Sequence, residues 1–333
     1  MPVIPLTITS TMSVASELGG AFMTPAKCDD EGNLYIRKLA MDRPLLGPVV
    51  KIAADGKRTA IFDPSVFSQL HLDRADAFSA ASDGGLYQVA QKGIVKPVLY
   101  VLHFFSDGTA STSVRLDADL EVYNFAAFAN GSFLVSGLQR DVTNGKDPGK
   151  KFTAAFLDSG QMIAKLSFEP APGDLAPGKE KHAGQPPTAA SNLVKPAGPE
   201  KAEPILDLTD AEVGGDGNLY VMRRSSPVLI YVVSPSGTVL RTLKIATPAH
   251  VQFPSGFHLS ANRLAVSFAH DENQSQTLVV ADAQLGRRIA AYSFTDPTGA
   301  APSFACYSAN EGVFTFLRLG EGNALEVLRA AAE

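Results

Sequence analysis

The chain has 333 residues, of which 45% are hydrophobic, and a formal net charge of -5 at pH 7. This apolar content suffices for a large core and excludes a largely disordered chain, while the acidic balance argues against a nucleic-acid-binding protein. No apolar run approaches the roughly 20 residues of a membrane-spanning helix, and the 28 glycines and 22 prolines are spread along the chain in the way typical of many short strands.

The first predicted element is a strand over residues 3–9, where β-branched residues alternate with others. Pro5 lacks a backbone N–H, which predicts that this strand lies at the edge of a sheet. The N-terminal sequence shows no basic segment followed by an apolar one. We therefore expect either a cytoplasmic protein or an exported protein in its mature form.

A turn followed by a short apolar strand recurs along the chain. Its clearest copy is Gly-Asp-Gly-Asn-Leu-Tyr-Val at 215–221, and relatives lie at 29–35, 82–87, 129–134, 260–265 and 310–314. Gly, Asn and Asp tolerate the positive φ angles of tight hairpins. We expect the residue that closes each unit to pack between neighbouring sheets; these residues are Tyr35, Tyr87, Leu134, Tyr220, Ala265 and Phe314.

The closing residues lie 45 to 52 residues apart, except for one interval of 86. A period of about four short strands is typical of a β-propeller blade. The long interval contains residues 169–204, which hold 8 of the 22 prolines and no aromatic residue. This segment cannot bury enough apolar surface to offset the entropy of ordering it, so we predict a flexible Pro/Ala/Gly-rich insertion between blades three and four. A lid or a tether for a partner is the functional alternative.

The last repeat supplies only three predicted strands, and the N-terminal strand is left over. If the two ends pair, every blade has four strands and no open seam remains. The sequence therefore predicts a single all-β domain over residues 1–333: a six-bladed β-propeller of four-stranded antiparallel blades, with its ring closed by the N-terminal strand completing the last blade. We expect a monomer.

The repeats resemble those of bacterial six-bladed propellers of the NHL, TolB-like and SMP-30/gluconolactonase-like kind. Asp29, Gly32, Asn33, Leu34 and Tyr35 show the pattern, and it covers nearly the whole chain apart from residues 169–204. The resemblance implies the fold more strongly than an activity. SMP-30-like members are metal-dependent lactonases with an ion above the central channel, whereas NHL- and TolB-like members mostly bind peptides, proteins or other macromolecules.

Ligands of propellers enter a central funnel, so the residues just before each unit are the candidates for function. The predicted ligand-binding residues are Glu17, Asp76, Tyr123, Asn124, Asp210, His250 and Ser255. We expect a ring of oxygen ligands formed by Glu17, Asn124 and Asp210, together with Asp76. Such a ring suits Ca²⁺ or another divalent cation. The alternative is that these side chains form Asx turns or cap backbone N–H groups.

Compact catalytic motifs are absent from the sequence. It contains no Gly-x-Ser-x-Gly, no His-Glu-x-x-His and no phosphate-binding loop. Its six histidines do not pair at metal-binding spacing, and we expect His250 and His258 to form hydrogen bonds at the surface. We therefore predict no catalytic residue.

The two cysteines, Cys28 and Cys306, are predicted to lie on the innermost strands of the first and last blades. A disulfide there would close most of the chain into one loop and contribute up to about 5 kcal/mol in the loop-entropy model. Two buried free thiols are the alternative, because Cα atoms more than roughly 7 Å apart cannot be bridged. A bridge would favour a periplasmic or secreted protein over a cytoplasmic one.

Two functional hypotheses follow. The first is a non-catalytic binding or scaffold propeller that presents its funnel to a protein, peptide or glycan and needs no cofactor. The second is a divalent-metal-dependent hydrolase of the SMP-30/gluconolactonase type that uses the funnel carboxylates.

Overall fold

The computed structural model describes residues 2–18, 22–39, 44–93, 97–116, 120–139, 149–168, 211–249, 251, 254–270 and 275–332. These residues are almost entirely β-structure, joined by one short helix, α1 (Ala15–Leu18), and by 3-10 turns. None of their helices is long and apolar enough to cross a membrane. The predicted insertion at 169–204 lies outside the described residues.

The strands are β1 (Ile4–Ser13), β2 (Phe22–Cys28), β3 (Leu34–Lys38), β4 (Val49–Ile52), β5 (Arg58–Phe62), β6 (Arg74–Ala80), β7 (Leu86–Lys92), β8 (Val98–Phe104), β9 (Ala110–Arg115), β10 (Leu120–Ala127), β11 (Phe133–Gln139), β12 (Lys150–Phe156), β13 (Met162–Lys165), β14 (Ala211–Val213), β15 (Leu219–Arg223), β16 (Val228–Val233), β17 (Val239–Ile245), β18 (Pro254–Ser260), β19 (Arg263–Ala269), β20 (Gln276–Asp282), β21 (Arg288–Phe294), β22 (Ser303–Ser308), β23 (Val313–Leu319) and β24 (Leu325–Ala332).

Four of the sheets are four-stranded antiparallel meanders, in which consecutive strands are neighbours. We name them sheet 1 (β2–β5), sheet 2 (β6–β9), sheet 3 (β10–β13) and sheet 4 (β14–β17). Tight turns make this order possible. Gly32, Gly84, Gly131 and Gly217 hold positive φ angles at the first turn of each sheet, a conformation that glycine adopts without steric cost.

The first strands of the sheets form a ring. Strand β2 contacts β6, β6 contacts β10, β10 contacts β14, β14 contacts β18, β18 contacts β22, and β22 contacts β2. The sheets therefore extend outward from a common axis, and the protein is an all-β propeller.

The prediction of a ring of six separate four-stranded blades, closed by the N-terminal strand completing the last blade, is wrong. Strands β18–β24 and β1 form one eight-stranded sheet in the order β18-β19-β20-β21-β1-β24-β23-β22, beside the four four-stranded sheets. This sheet is nearly closed on itself, because its two end strands, β18 and β22, contact each other.

The N-terminal strand causes this difference. Strand β1 pairs antiparallel with β24, but it also pairs in parallel with β21 through Ile4 opposite Tyr292 and Pro5 opposite Ser293. It therefore lies inside the sheet, and the prediction that Pro5 confines it to an edge is also wrong. The parallel contact involves only the start of β1, where the missing N–H of Pro5 removes one donor.

The core lies between neighbouring sheets, as the repeat predicts. The closing residues Tyr35, Leu134 and Phe314 are fully buried. Between sheets 1 and 2, the ring of Tyr35 stacks on that of Phe62 at 6.0 Å, and Phe62 meets Phe104 edge-on at 5.9 Å.

A disulfide joins Cys28 on β2 to Cys306 on β22, with Cα atoms 6.1 Å apart. Both residues are buried, and 278 positions separate them in the chain. The bridge ties sheet 1 to the eight-stranded sheet next to the central axis.

Candidate functional site

Five of the six innermost strands share an irregularity in their pairing with the next strand; they are β2, β6, β10, β18 and β22. Residues are left out of the ladder in β2 between Met23 and Lys27, in β6 between Ala75 and Phe78, in β10 between Val122 and Asn124, in β18 between Pro254 and Gly256, and in β22 between Phe304 and Cys306. Such β-bulges re-aim a side chain and are frequent next to functional sites.

Three of the predicted site residues occupy these bulges: Asp76 on β6, Tyr123 on β10 and Ser255 on β18. Strands β6 and β10 are neighbours in the ring, so the structure brings Asp76 and Tyr123 to adjacent sheets. Ser255 belongs to the eight-stranded sheet. We call these three residues the bulge set.

Tyr123 is the exposed aromatic member of the bulge set, at 42% exposure. Its hydroxyl donates a hydrogen bond of 2.8 Å to the carboxylate of Glu121 on the same strand. The next residue, Asn124, is back in the ladder opposite Ser136 and is buried. Tyr123 thus offers a ring held in place by a short local contact.

Asp76 lies in an ion-paired group between sheets 1 and 2. Its carboxylate contacts Nε of Arg74 at 2.5 Å and the guanidinium of Arg37 at 3.7 Å. Arg37 also donates to the carbonyl oxygen of Ala75. Burial lowers the pKa of Arg37, and the nearby Asp76 carboxylate partly offsets this effect. The charge of Asp76 is therefore balanced within the protein.

Ser255 begins a chain of buried polar contacts. Its hydroxyl donates to Ser267 Oγ at 3.0 Å, and that hydroxyl donates to Oε1 of Gln276 at 2.8 Å. The amide of Gln276 then donates to the carbonyl oxygen of Pro302. The chain fixes Ser255 relative to the segment that leads into β22.

Glu17 lies apart from the bulge set. It belongs to α1, where its carboxylate accepts a hydrogen bond of 3.3 Å from the backbone N–H of Arg58 at the start of β5, the outermost strand of sheet 1. Asp210 and His250 fall outside the described residues. Within the described ranges, no group of three or more His, Cys, Asp or Glu side chains is placed to hold a metal ion, and the set of Glu17, Asn124 and Asp210 stays a prediction.

Two polar side chains inside the ring of first strands were not among the predicted site residues. Lys27 on β2 is buried and donates to the carbonyl oxygen of Ala211 on β14 at 3.3 Å. His258 on β18 is 2% exposed, and its Nδ1 lies 3.2 Å from the carbonyl oxygen and 3.3 Å from the N–H of Tyr307 on β22. The prediction of a surface position for His258 is wrong, because β18 and β22 lie close enough to cover it.

The imidazole of His258 is neutral at physiological pH. Its pKa is lowered to about 4, chiefly by burial and also by the positive charge of Lys27, while the contact with the Tyr307 backbone and the charge of Asp29 act in the opposite direction. Lys27 and His258 occupy equivalent positions in their repeats, since each pairs with a closing residue: Lys27 with Tyr35, and His258 with Ala265. This equivalent position is the signal in the sequence for both residues.

No family model matches the chain, and no curated protein matches it. Among solved structures, it is similar to a protein of unknown function from Bacteroides caccae, with a TM-score of 0.47 and 10% identity over 82% of this chain and 81% of that chain. It is also similar to the WD40 domain of Neurospora crassa Pan2, with a TM-score of 0.47 and 10% identity over 100% of this chain and 98% of that chain. Neither likeness assigns a family, and the resemblance to NHL, TolB-like and SMP-30-like proteins stays a prediction.

Proposed function

We propose that the protein is a non-catalytic binding module, which recognises a peptide segment of a partner protein at the end of the ring where the bulges lie. A propeller fold is consistent with a binding or scaffold role. The observation that carries the proposal is the recurrence of bulges in the innermost strands, three of which present Asp76, Tyr123 and Ser255 outside the ladder.

The contacts of the bulge set favour recognition over catalysis. Asp76 is ion-paired with two arginines, the Tyr123 hydroxyl donates to Glu121, and Ser255 donates to Ser267. The Ser255 hydroxyl donates to another hydroxyl and not to a base that would activate it as a nucleophile. An exposed tyrosine beside fixed polar groups is instead typical of a protein-binding surface.

The disulfide supports the predicted periplasmic or secreted location. Disulfides persist in oxidising compartments and are rare in the cytosol. An exported binding protein would meet its partner outside the cytoplasm, where the bridge between Cys28 and Cys306 stays oxidised.

Binding to peptide and glycan arrays tests this function. We expect the wild-type protein to bind a set of peptides, and Tyr123→Ala to weaken that binding about tenfold through loss of one aromatic anchor, which corresponds to about 1.4 kcal/mol. Ser255→Arg should block the same peptides. Leu285→Ala is the matched control, because Leu285 is 76% exposed in the turn between β20 and β21.

Either of two results would contradict the proposal. Peptide affinity that is unchanged in both Tyr123→Ala and Ser255→Arg would place binding elsewhere. Binding confined to glycans would show that the ligand is a glycan and not a peptide. Circular dichroism of each variant confirms that it has folded.

A further inference from the structure

Three tyrosines that close a turn–strand unit have an aspartate in the preceding turn, and in sheet 1 a lysine completes the group. The Tyr35 hydroxyl donates to Asp29 at 3.1 Å. The Lys51 ammonium lies 5.3 Å from the centre of the Tyr35 ring and 3.6 Å from the Asp29 carboxylate, and it donates to the carbonyl oxygen of Gly84. The protein thus supplies its own cation to this tyrosine–aspartate pair.

Sheet 4 repeats the arrangement with an arginine. The Tyr220 hydroxyl donates to Asp216 at 3.2 Å. The guanidinium carbon of Arg241 lies 5.7 Å from the centre of the Tyr220 ring, and the group contacts both the Tyr220 hydroxyl at 2.8 Å and the Asp216 carboxylate at 3.9 Å. A cation over an aromatic face beside a carboxylate is stabilised by both groups.

Sheet 2 has the tyrosine and the aspartate, but a histidine takes the position of the lysine. His103 is opposite Tyr87, as Lys51 is opposite Tyr35. Its ring stacks on that of Tyr87 at 4.3 Å and 12°, and its buried Nε2 has no hydrogen-bond partner among the described residues. Burial lowers the pKa of His103, although Asp83 acts in the opposite direction.

Two carboxylates beside Tyr87 lack a cationic partner in the described part of the chain. Asp83 accepts a hydrogen bond from the N–H of Gly85 but forms no ion pair there, and neither does Asp158. Burial raises the pKa of the Tyr87 hydroxyl, and the negative charges of Asp83 and Asp158 raise it further. The Tyr87 hydroxyl and Asp158 both lie next to Gly131. A methyl group added at Gly131 would be 3.3 Å from the Tyr87 hydroxyl oxygen and 3.9 Å from the Cβ of Asp158.

Apolar side chains continue this surface outward. Phe105 is 50% exposed, with its ring 5.9 Å from that of His103, and Leu157 is 42% exposed next to Asp158. We name Tyr87, Asp83, Asp158, His103 and Phe105 the acidic aromatic surface. It lies at the turn end of sheet 2, whereas the Asp76 bulge lies at the other end of β6.

We infer that the acidic aromatic surface is a second docking site, which binds an arginine or lysine side chain from a partner polypeptide. The incoming cation meets the Asp83 and Asp158 carboxylates beside the stacked rings of Tyr87 and His103, and it supplies the positive charge that Lys51 and Arg241 supply in sheets 1 and 4. The Asp83 and Asp158 carboxylates, which form no ion pair within the described ranges, provide the charge complementarity. The exposed Phe105 ring covers the aliphatic part of the incoming side chain. This inference does not depend on the proposed function at the bulge set.

The test uses the full chain and synthetic peptides with a central Arg or Lys among neutral residues, together with matched peptides that carry citrulline or norleucine instead. We expect binding only of the cationic peptides. His103→Lys should abolish it, because the new ammonium group would occupy the site as Lys51 does in sheet 1. Asp83→Asn combined with Asp158→Asn should weaken it about tenfold, while the amide that replaces the Asp83 carboxylate keeps an oxygen for the N–H of Gly85.

Matched controls separate this site from others. Asp55→Asn removes an exposed turn carboxylate that already pairs with Lys57, and it should leave peptide binding unchanged. Leu285→Ala changes an exposed side chain outside both proposed sites and should also leave it unchanged.

Three results would overturn the inference: no cationic peptide binds the wild-type chain, citrulline peptides bind equally well, or His103→Lys retains full affinity. Self-association that disappears in His103→Lys, measured by sedimentation, would show that a second copy of the chain occupies the surface instead.

Discussion

At the scale of single residues, the buried polar groups near the axis affect the free energy of unfolding most strongly. His258 shows this most directly, because its pKa is lowered to about 4 from an ordinary value of 6.5. Between these two pH values the unfolded chain binds a proton that the folded protein does not. The free energy of unfolding must therefore fall as the pH drops through this range.

We predict that the wild-type melting temperature falls between pH 6.5 and about pH 4, with His258 contributing about 2–3 kcal/mol of the loss. In His258→Asn this contribution should disappear, because the amide oxygen can still accept from the N–H of Tyr307 but does not titrate. Thermal melts across the pH range measure it. His71→Asn is the control, since His71 is exposed at a positive φ that asparagine tolerates. An unchanged pH slope in His258→Asn would contradict the prediction.

Gln88 on β7 is a second residue-scale case. It is fully buried, and neither atom of its amide has a hydrogen-bond partner in the described part of the protein. We expect Gln88→Leu to stabilise the protein by about 1–2 kcal/mol, because it removes an uncompensated desolvation cost. Chemical denaturation provides the measurement.

The matched comparison for Gln88 is Gln276→Leu. Gln276 is also buried, but its amide is bonded at both ends to Ser267 and Pro302. This variant should lose about 1–3 kcal/mol, since it leaves both partners unsatisfied. If both glutamine variants are destabilised alike, the Gln88 amide has a partner, such as a buried water molecule.

At the scale of elements, the bulges depend on small residues in the neighbouring strand. Gly137 on β11 is opposite Val122, beside the bulge at Tyr123, and a Cβ atom there would collide with the carbonyl oxygen of Glu121. Only glycine allows β10 to approach β11 this closely. The shape of this bulge therefore depends on residues of both β10 and β11.

We predict that Gly137→Ala lowers stability by about 1–3 kcal/mol through this overlap and displaces Tyr123. Gly215→Ala should have almost no effect, because no atom outside residues 214–216 lies within 4 Å of the added methyl group. Denaturation and the intrinsic fluorescence of the tyrosines report the two changes. Equal stability of the two variants would show that β10 can shift without cost.

The turns and the strands that follow them could be predicted from the sequence, because turn chemistry is local. The same holds for caps: the Asp63 carboxylate accepts from the N–H of Ser65 at 2.9 Å, and Pro64 follows Asp63 at the start of the 3-10 turn, so the whole cap is local in sequence. The pairing of Pro5 with Ser293 and the burial of His258 between strands could not be predicted, since both depend on contacts between residues far apart in the chain. For the candidate site, the sequence indicated Asp76, Tyr123 and Ser255, but the bulges that set them apart appear only in the pairing of strands.

At the scale of the whole molecule, the disulfide is the only covalent link that the structure adds to the described chain. It joins the innermost strands of sheet 1 and the eight-stranded sheet across 278 positions. A crosslink that closes so long a loop restricts the unfolded chain strongly.

We expect Cys28→Ala combined with Cys306→Ala to lose about 2–5 kcal/mol relative to the oxidised wild type. Adding a reductant to the wild type should give a similar loss, and adding it to the double variant should change nothing. Denaturation under reducing and oxidising conditions makes the comparison. A double variant as stable as the oxidised protein would show that the core alone holds the two sheets together.

The position of β1 between β21 and β24 also has a consequence for synthesis on the ribosome. Ser13 is opposite Glu326, so β1 emerges long before either of its partners exists. At roughly 5–20 residues per second, the wait for on the order of 300 further residues lasts roughly 15–60 s. During that time β1 is an unpaired strand with free backbone groups. We therefore expect β1 to need shielding on the nascent chain until β21 and β24 have been synthesised.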